Sequence, residues 1–202
     1  MNILIGCEES GVVRDGFRAR GHNAWSCDLL PSSGSQSYHV QGDILDALEP
    51  GRGDMVIAFP PCTFLCNSGV RWLYNGDGSK NHDRWYKMSD DAWLFKRITE
   101  YDCDKIVCEN SIPHRYAMAI MGRKYDQIVQ PWMFGHPETK AICLWLKGVE
   151  PLEETNNVRE RMMTLPKKQR NRVHYMSPGK DRGLLRSKTL PGVADAMAEQ
   201  WG

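Results

Sequence analysis

The amino-acid sequence predicts an α/β fold in which helices cover both faces of a parallel β-sheet. Short apolar segments rich in β-branched residues alternate with longer amphipathic segments, a pattern typical of strands that alternate with helices. The 202 residues are enough for one well-buried domain and too few for two of ordinary size. We therefore expect a single domain over residues 1–202.

Six apolar segments are the candidate strands: NILI, NAWSC, DMVIAF, DKIVC, DQIVQ and AICLWL. The helices are expected between and after them, at residues 11–20, 89–101, 114–121 and 191–201. Gly21 is a plausible stop for the first helix, Ser89 a good cap for the second, and Pro191 suits the first turn of the last. Residues 63–88 and 150–185 interrupt this alternation, and the first of these has a length typical of a functional loop or lid.

Bulk composition restricts the class of protein. No apolar run approaches the length of a membrane span, and MNILIGCEES has an acidic pair where a secretory signal needs basic residues, so we expect a cytoplasmic location without membrane contact. Seven cysteines, an odd number without a CxxC pair, are typical of reduced thiols. No neighbouring Cys/His pair completes a tetrahedral zinc set, so no metal is expected.

The net charge of +1 is unevenly distributed. Residues 159–188 contain ten Lys and Arg against two Asp and Glu, so the rest of the chain has a net charge of −7. Such a segment is either a contact surface for phosphates or a solvated loop.

The strongest local motif is FPPCTFLC at residues 59–66, directly after the DMVIAF strand. Ligands of open α/β sheets bind beyond the carboxyl ends of the strands, so Cys62 is expected at the rim of a site. Pro60 and Pro61 fix the backbone in an extended shape and present the thiol on a stiff turn. The alternative is that Cys62 is a buried small hydrophobic residue, the commonest state of a free cysteine.

The second motif is DKIVCENS at residues 104–111. Glu109 and Asn110 are expected at the same rim as Cys62, because parallel strands end on one side of the sheet. A carboxyl group there can protonate or hydrogen-bond a ring nitrogen. The alternative is that Glu109 caps the helix that follows.

The two motifs together predict methyl transfer to carbon 5 of cytosine. Carbon 5 is a poor nucleophile, so a thiolate has to add at carbon 6 and push electron density toward carbon 5. Glu109 helps if it neutralises charge on ring nitrogen 3. The sequence does not identify the base that then removes the proton from carbon 5.

A cofactor site is expected at the amino end of the chain. Gly6 and Gly11 flank the turn after the first strand and let the backbone approach a bound nucleoside or amino-acid group. Asp28 ends the second strand, where an acidic side chain holds ribose hydroxyls, and Asp43 is placed for an adenine amino group. The alternative for each carboxylate is a surface cap. The remaining expected cofactor contacts are Glu8 and Pro60.

These motifs resemble those of the S-adenosylmethionine-dependent cytosine carbon-5 DNA methyltransferases. The resemblance covers Pro61–Cys62, Glu109–Asn110, the acidic positions Asp28 and Asp43, and the closing segment RSKTLPGVADAMA, in the family's order. It implies a Rossmann-like class I methyltransferase sheet, S-adenosylmethionine as cofactor, Cys62 as nucleophile, and Glu109 as acid. The segment QPWMFGHPETKAICLWLKG is similar to small bacteriophage members, which act in a bacterial host.

The chain departs from the family pattern in three places. IGCEESG stands where the family usually has FxGxGG, and FGHPETKAICLWL replaces its arginine-rich motif, with His136, Thr139 or Lys140 as candidate substitutes. Only about 35 residues occupy the interval of the family's target-recognition domain. We therefore expect the basic insert at residues 150–185 to replace that domain, with little sequence discrimination.

The expected partner is DNA, single- or double-stranded, and the oligomeric state is left open. Expected substrate contacts are Pro61 and Lys140 at the base, with phosphate contacts from Arg71, Lys167, Lys168, Arg170 and Arg172. The loop containing Arg71 also has aromatic residues that either stack on bases or pack on one another.

Three alternatives to this function remain open at the level of sequence. The same chemistry on a free cytosine nucleotide needs no DNA contact. An enzyme that methylates an exocyclic amine has a similar sheet, but it stacks the base on an aromatic residue and needs no nucleophile. A non-catalytic protein that keeps the fold and binds the cofactor or DNA is the third.

Overall fold

The computed structural model describes residues 1–48, 53–180 and 182–202. Its centre is a mixed seven-stranded sheet in the order β3-β2-β1-β4-β5-β7-β6. The strands are β1 (Asn2–Gly6), β2 (Asn23–Asp28), β3 (His39–Gln41), β4 (Met55–Ala58), β5 (Lys105–Asn110), β6 (Gln127–Val129) and β7 (Ile142–Lys147). Helices lie on both sides of this sheet, so the predicted α/β class is confirmed, and all six predicted strands are present.

The prediction of a wholly parallel sheet is wrong for β7, which runs antiparallel to both β5 and β6. A parallel crossover needs a connection of about a dozen residues or more, usually a helix. The segment between β6 and β7 has only the short 3-10 helix Pro131–Met133, so β7 turns back between β5 and β6. The amino end of β7 therefore lies at the same edge as the carboxyl ends of β1, β4 and β5.

The three-residue strand β3 was not predicted from the sequence. It pairs with β2 at the edge of the sheet, where Ser26 lies opposite His39 and Asp28 opposite Gln41. Its segment HVQ is short and mostly polar, so it lacks the apolar run that identifies the other strands.

Nine helices are present in the described residues. They are α1 (Val12–Ala19), α2 (Ile44–Ala47), α3 (His82–Thr99), α4 (Arg115–Met121), α5 (Arg159–Thr164), α6 (Lys167–Arg170), α7 (Arg172–Tyr175), α8 (Arg182–Ser187) and α9 (Pro191–Gln200). None of these helices is long and apolar enough to cross a membrane.

The start predicted for α3 is wrong, because the helix begins two turns before Ser89. The Asn81 side chain accepts a hydrogen bond from the backbone N–H of Arg84 at 3.1 Å and caps the helix there. The predicted loop at residues 63–88 is correspondingly shorter, and it contains the 3-10 helix Asn67–Leu73.

Two hydrophobic layers hold the helices on the sheet. Because side chains alternate along a strand, Ile57 of β4 points to the layer that contains α1 and α9, and Val56 points to the layer that contains α3 and α4. Helix α1 packs against α9, where Phe17 and Val13 of α1 and Val193 and Met197 of α9 are buried in one layer. The sheet is therefore buried on both faces, and its carboxyl edge is left for a site.

The segment at residues 150–185 contains the short helices α5, α6 and α7 and the start of α8. The helices α5, α6 and α7 follow one another with brief connections, and α8 begins after residue 181, which lies outside the described residues. Val173 of α7 and Leu184 of α8 line the cavity described below. The segment thus forms one wall of that cavity.

Candidate functional site

A cleft of about 1060 Å³ runs along the carboxyl edge of the sheet. The ends of β1, β2, β4 and β5 open into it, together with the segments before β7 and after α7. Of the predicted site residues, those that line it are Glu8, Asp28, Asp43, Pro60, Pro61, Cys62, Glu109 and Lys140. The two strand-end motifs identified in the sequence are therefore brought into one site with the predicted acidic residues.

Hydrogen bonds fasten the turn after β4 to the segment after β5. The Asn110 side chain donates from Nδ2 to the Pro60 carbonyl oxygen at 3.0 Å. The Asn67 backbone N–H donates to the Ile112 carbonyl at 2.8 Å, and the His114 N–H donates to the Leu65 carbonyl at 2.9 Å. These contacts hold the Cys62 turn and the Glu109 strand end in one rigid unit.

Asn110 itself is completely buried and does not line the cleft. It was predicted as a catalytic residue, and the structure instead gives it a positioning contact with Pro60. Its Oδ1 atom is buried and has no hydrogen-bond partner among the described residues.

The Cys62 thiol is partly exposed at the cleft, unlike the buried cysteines of the sheet. Its carbonyl accepts hydrogen bonds from the N–H groups of Leu65 and Cys66, so the residue begins a tight turn. Burial and the nearby Glu109 carboxylate raise the pKa of the thiol, whereas a hydrogen bond from the Ser111 hydroxyl lowers it. The charge of the Cys62 thiol is therefore controlled by its neighbours, and their net effect favours the neutral form.

Glu109 stands beside Cys62 in the same cleft. Burial raises the pKa of its carboxyl group, and the positive charge of Lys140 opposes that rise. The alternative that Glu109 caps the next helix does not hold, because His114 is the cap of α4 and accepts from the Ala117 N–H at 3.1 Å. Burial thus favours the protonated form of Glu109, and the charge of Lys140 favours the ionised form.

Lys140 is the one of the three candidates before β7 that lines the cleft. It reaches Cys62 and Glu109 because antiparallel β7 begins at the carboxyl edge of the sheet. The other two candidates make structural contacts: His136 Nε2 accepts from the Gly192 N–H at 2.9 Å, and Thr139 Oγ1 donates to the Arg170 carbonyl at 3.1 Å.

The predicted acidic cofactor residues lie together at the other end of the cleft. Asp28 accepts a hydrogen bond from the Leu30 N–H at 2.9 Å, and Asp43 caps α2 by accepting from the Leu45 N–H at 2.9 Å. Each bond uses Oδ1, and a carboxylate has further acceptor capacity. Both residues therefore act as local caps and can still accept from a ligand.

Glu8 is engaged by the chain itself, although it lines the cleft. Its carboxylate accepts from the Val13 N–H at 2.7 Å and from the Arg14 N–H at 3.4 Å, which caps the start of α1. Burial raises the pKa of this carboxyl to about 7. The contact of Glu8 with a cofactor stays a prediction, and this carboxylate already accepts two hydrogen bonds from the backbone of α1.

The two predicted glycines have backbone roles and do not line the cleft. A Cβ added to Gly6 would overlap the Ile44 side chain, so this glycine lets α2 approach β1. Gly11 has a φ of +70° at the start of α1, a left-handed conformation that favours glycine.

The basic residues of the insert differ in availability. The Arg172 guanidinium forms two hydrogen bonds with the buried Glu138 carboxylate at 2.9 and 3.0 Å, so it is an anchor of the cleft wall. Lys167 and Lys168 are exposed on α6, and Arg170 is partly exposed at its end. Arg172 is thus held in an ion pair, and the phosphate contacts of Lys167, Lys168 and Arg170 stay a prediction.

Several polar residues of the cleft were not predicted from the sequence, among them Ser111, Arg186 and Lys188. Ser111 contacts the Cys62 sulfur, and Arg186 and Lys188 line the wall formed by the end of the insert. Lys188 also lies 3.8 Å from the Glu9 carboxylate. Ser111 directly follows the Glu109–Asn110 motif, so its position in the sequence could have identified it. Arg186 and Lys188 are distant from both motifs in the chain, and only the folded course of the segment before α9 brings them to the cleft.

Metal binding finds no support among the described residues, where no cluster of three or more His, Cys, Asp and Glu side chains forms a metal site. No protein-family model matches the chain, and no curated protein matches it.

Two solved structures are similar to the chain. One is a protein named as a DNA modification methyltransferase encoded within a prophage of E. coli, 15% identical over 83% of this chain and 56% of that one, with a TM-score of 0.46. The other is the Entamoeba histolytica methyltransferase EhMeth, 13% identical over 78% of this chain and 57% of that one, with a TM-score of 0.45. The chain spans just over half the length of each. These values are too low to transfer an activity.

Proposed function

We propose that this protein transfers a methyl group from S-adenosylmethionine to carbon 5 of cytosine in DNA through a covalent adduct with Cys62. The observation that supports this most directly is the convergence of Cys62, Glu109 and Lys140 in one cleft, which also contains the acidic pair Asp28 and Asp43. A nucleophile, a proton donor and a nucleoside-binding end are the three parts that this reaction needs.

The catalytic end of the cleft supplies the addition step. The Cys62 thiolate forms a bond to carbon 6 of the ring, and the electron pair of the carbon 5–carbon 6 double bond moves toward carbon 5. Glu109, whose pKa is raised by burial, donates a proton to ring nitrogen 3 and neutralises the developing charge. Ser111 and Lys140 favour the thiolate by a hydrogen bond and by positive charge.

Carbon 5 would then bond to the methyl group as the bond from that group to the sulfonium sulfur breaks, which would leave the cofactor as a neutral thioether. Removal of the carbon 5 proton by a base returns the electron pair to the ring and breaks the sulfur–carbon 6 bond, which regenerates the thiolate. Glu109 recovers its proton from nitrogen 3. Cys62 therefore acts as nucleophile and leaving group in one cycle.

The other end of the cleft fits S-adenosylmethionine. This cofactor supplies an electrophilic methyl group when bound. Asp28 and Asp43 retain acceptor capacity toward ribose hydroxyls and an adenine amino group, and Leu29 and Leu30 line the same wall with apolar surface. Pro60, two residues before Cys62 in the chain, also lines the cleft and is a proposed contact of the cofactor.

The polymeric substrate is proposed from charge. Lys167, Lys168 and Arg170 stand on the insert that forms one wall of the cleft, while the chain outside residues 159–188 is net negative. Phosphate contacts from these residues would orient the cleft toward DNA without reading its sequence. Methylation is therefore expected in many sequence contexts.

The decisive experiment traps the adduct. An oligonucleotide that contains 5-fluorocytosine blocks the elimination step, so a covalent complex at Cys62 should accumulate in the presence of S-adenosylmethionine and be located by peptide mass spectrometry. Cys62→Ser should abolish both trapping and methyl transfer. Cys66→Ser is the matched control, since this thiol lines the same cleft four residues away and has no role in the chemistry.

Analysis of the product nucleosides separates the competing outcomes. A methyl group on an exocyclic amine, or methyl transfer that survives in Cys62→Ser, would overturn the proposal. Cofactor binding without any product would indicate a non-catalytic protein. Turnover of deoxycytidine monophosphate that equals turnover of DNA would move the substrate to a free nucleotide.

The DNA contact has its own test. Neutralising Lys167, Lys168 and Arg170 together should weaken DNA binding and reduce the salt slope by roughly one for each lost phosphate contact. Arg172→Gln is the control. It removes the ion pair with Glu138, so it should lower the stability of the protein and leave the salt slope of DNA binding unchanged. An unchanged affinity and slope in the triple variant would show that the segment is a solvated wall.

A further inference from the structure

The aromatic residues that follow Cys62 fall into two groups. Tyr74, Trp85 and Tyr116 pack edge to face, with ring centroids separated by 5.0 to 6.4 Å, and the Tyr74 hydroxyl donates to the Tyr116 hydroxyl at 3.1 Å. These three rings are partly buried against the core. They pack on one another and on the core, and none of the three lines the cleft.

Trp72 is different, because it is 54% exposed and lines the cleft. It stands on the 3-10 helix Asn67–Leu73, which is anchored at both ends. The Asn67 N–H bonds to the Ile112 carbonyl at 2.8 Å, and the carbonyl of buried Leu73 accepts from the Trp85 ring nitrogen at 2.9 Å. A large indole face is thus held exposed on a rigid support.

One cation contacts this ring, because the Arg71 guanidinium lies 4.4 Å from the centroid of the Trp72 ring. Arg84 lines the same cleft, where its guanidinium lies 4.9 Å from the centroid of the Phe64 ring, and its Nε atom is buried without a hydrogen-bond partner among the described residues. An exposed aromatic side chain with one cation at its ring and another in the cleft is a combination that binds single-stranded nucleic acid, with stacking for the base and charge for the backbone.

We propose that Trp72 is the stacking platform for the base next to the target cytosine, with Arg71 and Arg84 beside its phosphates. This inference rests on the proposed function, which places the target ring at Cys62 and Glu109. Trp72 lines the same cleft as Cys62 and Glu109 and is half exposed, so a neighbouring nucleotide of the same strand can reach its ring.

A double-mutant cycle between protein and DNA tests this contact. The two proteins are wild type and Trp72→Ala, and the ligands are single-stranded oligonucleotides with one cytosine, either intact or with an abasic residue on its 5′ or its 3′ side. Dissociation constants are measured by fluorescence anisotropy without cofactor, so no turnover occurs. Trp72→Ala should weaken binding of the intact oligonucleotide by about 5-fold or more, and have almost no effect when the stacked neighbour is abasic.

The matched control is Trp93→Ala. Trp93 is 53% exposed on α3 and also has a cation near its ring, Lys96 Nζ at 5.2 Å, but it does not line the cleft. It should leave every dissociation constant unchanged. Trp72→Phe should keep most of the affinity, which separates loss of stacking from a change in folding.

Equal losses on the intact and both abasic oligonucleotides, or no loss in Trp72→Ala, would overturn the stacking role. The outcome is separable from that of the proposed function. At saturating oligonucleotide, Trp72→Ala should still be trapped at Cys62 by 5-fluorocytosine. Failure of the wild-type protein to be trapped would reject the chemistry whatever the cycle shows.

Discussion

Removing the Ser111 hydroxyl should make the Cys62 thiol less reactive at neutral pH. The hydroxyl donates a hydrogen bond that favours the thiolate, against burial and the charge of Glu109, which favour the neutral thiol. A hydrogen bond to a charged group contributes about 1.5 to 3 kcal/mol. Because the cleft is open to water, the lower end applies, and Ser111→Ala should reduce the thiolate fraction about tenfold.

The reaction rate should change less than the thiolate fraction. A more basic thiolate is a stronger nucleophile, with a Brønsted coefficient of about 0.4 to 0.5, so it regains about threefold in intrinsic rate. The expected rate of Cys62 alkylation by iodoacetamide is therefore roughly 3-fold to 4-fold lower in Ser111→Ala near pH 7. Well above the pKa of the thiol, the variant should react faster than wild type, so the two pH profiles cross.

The assay follows alkylation of the Cys62 peptide by mass spectrometry, because the chain has seven cysteines. Ser68→Ala is the matched control, since the Ser68 hydroxyl lies 3.2 Å from the Cys66 sulfur in the same cleft. Superimposable profiles for wild type and Ser111→Ala, or an equal change in Ser68→Ala, would refute the assigned role of Ser111.

Three further predictions concern the carboxyl groups and the buried amide. Glu109→Gln should lower turnover by about 100-fold to 10,000-fold with little change in cofactor dissociation constant, and unchanged turnover would exclude it as the acid. Glu8 has a pKa raised from 4.5 to about 7, so the unfolded chain loses that proton first and wild-type stability falls as pH rises across this window. The Glu8→Gln variant should lack this loss of stability, which amounts to about 3 kcal/mol between pH 4.5 and 7 and is measured by urea denaturation. If the free energies of unfolding of variant and wild type change in parallel with pH, the prediction is wrong. Asn110→Ala should lower the free energy of unfolding by about 1 to 3 kcal/mol and slow trapping at Cys62, because the buried Pro60 carbonyl loses its donor; wild-type stability in this variant would contradict the positioning role.

Most of the sheet is predictable from the sequence because its signals are local. Apolar runs such as MVIA in β4 mark strands wherever they occur, and Pro191 and His114 stand at the starts of their helices. The errors arise where the deciding contact is weak or is made elsewhere. Strand β3 has no apolar run, and α3 begins at Asn81 because that side chain caps it before Ser89 is reached.

The site residues show the same division. The sequence brings Cys62 and Glu109 to one rim, because residues that follow neighbouring parallel strands share an edge of the sheet. It does not indicate that Glu8 caps α1, or that Asn110 is buried against Pro60. Those roles depend on where the hydrogen-bond partners lie in the folded chain.

By itself the sequence determined the α/β class, the strand ends that meet in the cleft, and the uneven charge of the chain. Only the tertiary structure decided that β7 runs antiparallel, and this direction brings Lys140 to the cleft. It also decided that Arg172 is held by Glu138 and that Trp72 is exposed in the cleft that contains Cys62. The physical reason is that strand direction, ion pairing and exposure depend on residues distant in the chain, whereas periodicity and capping depend on neighbours.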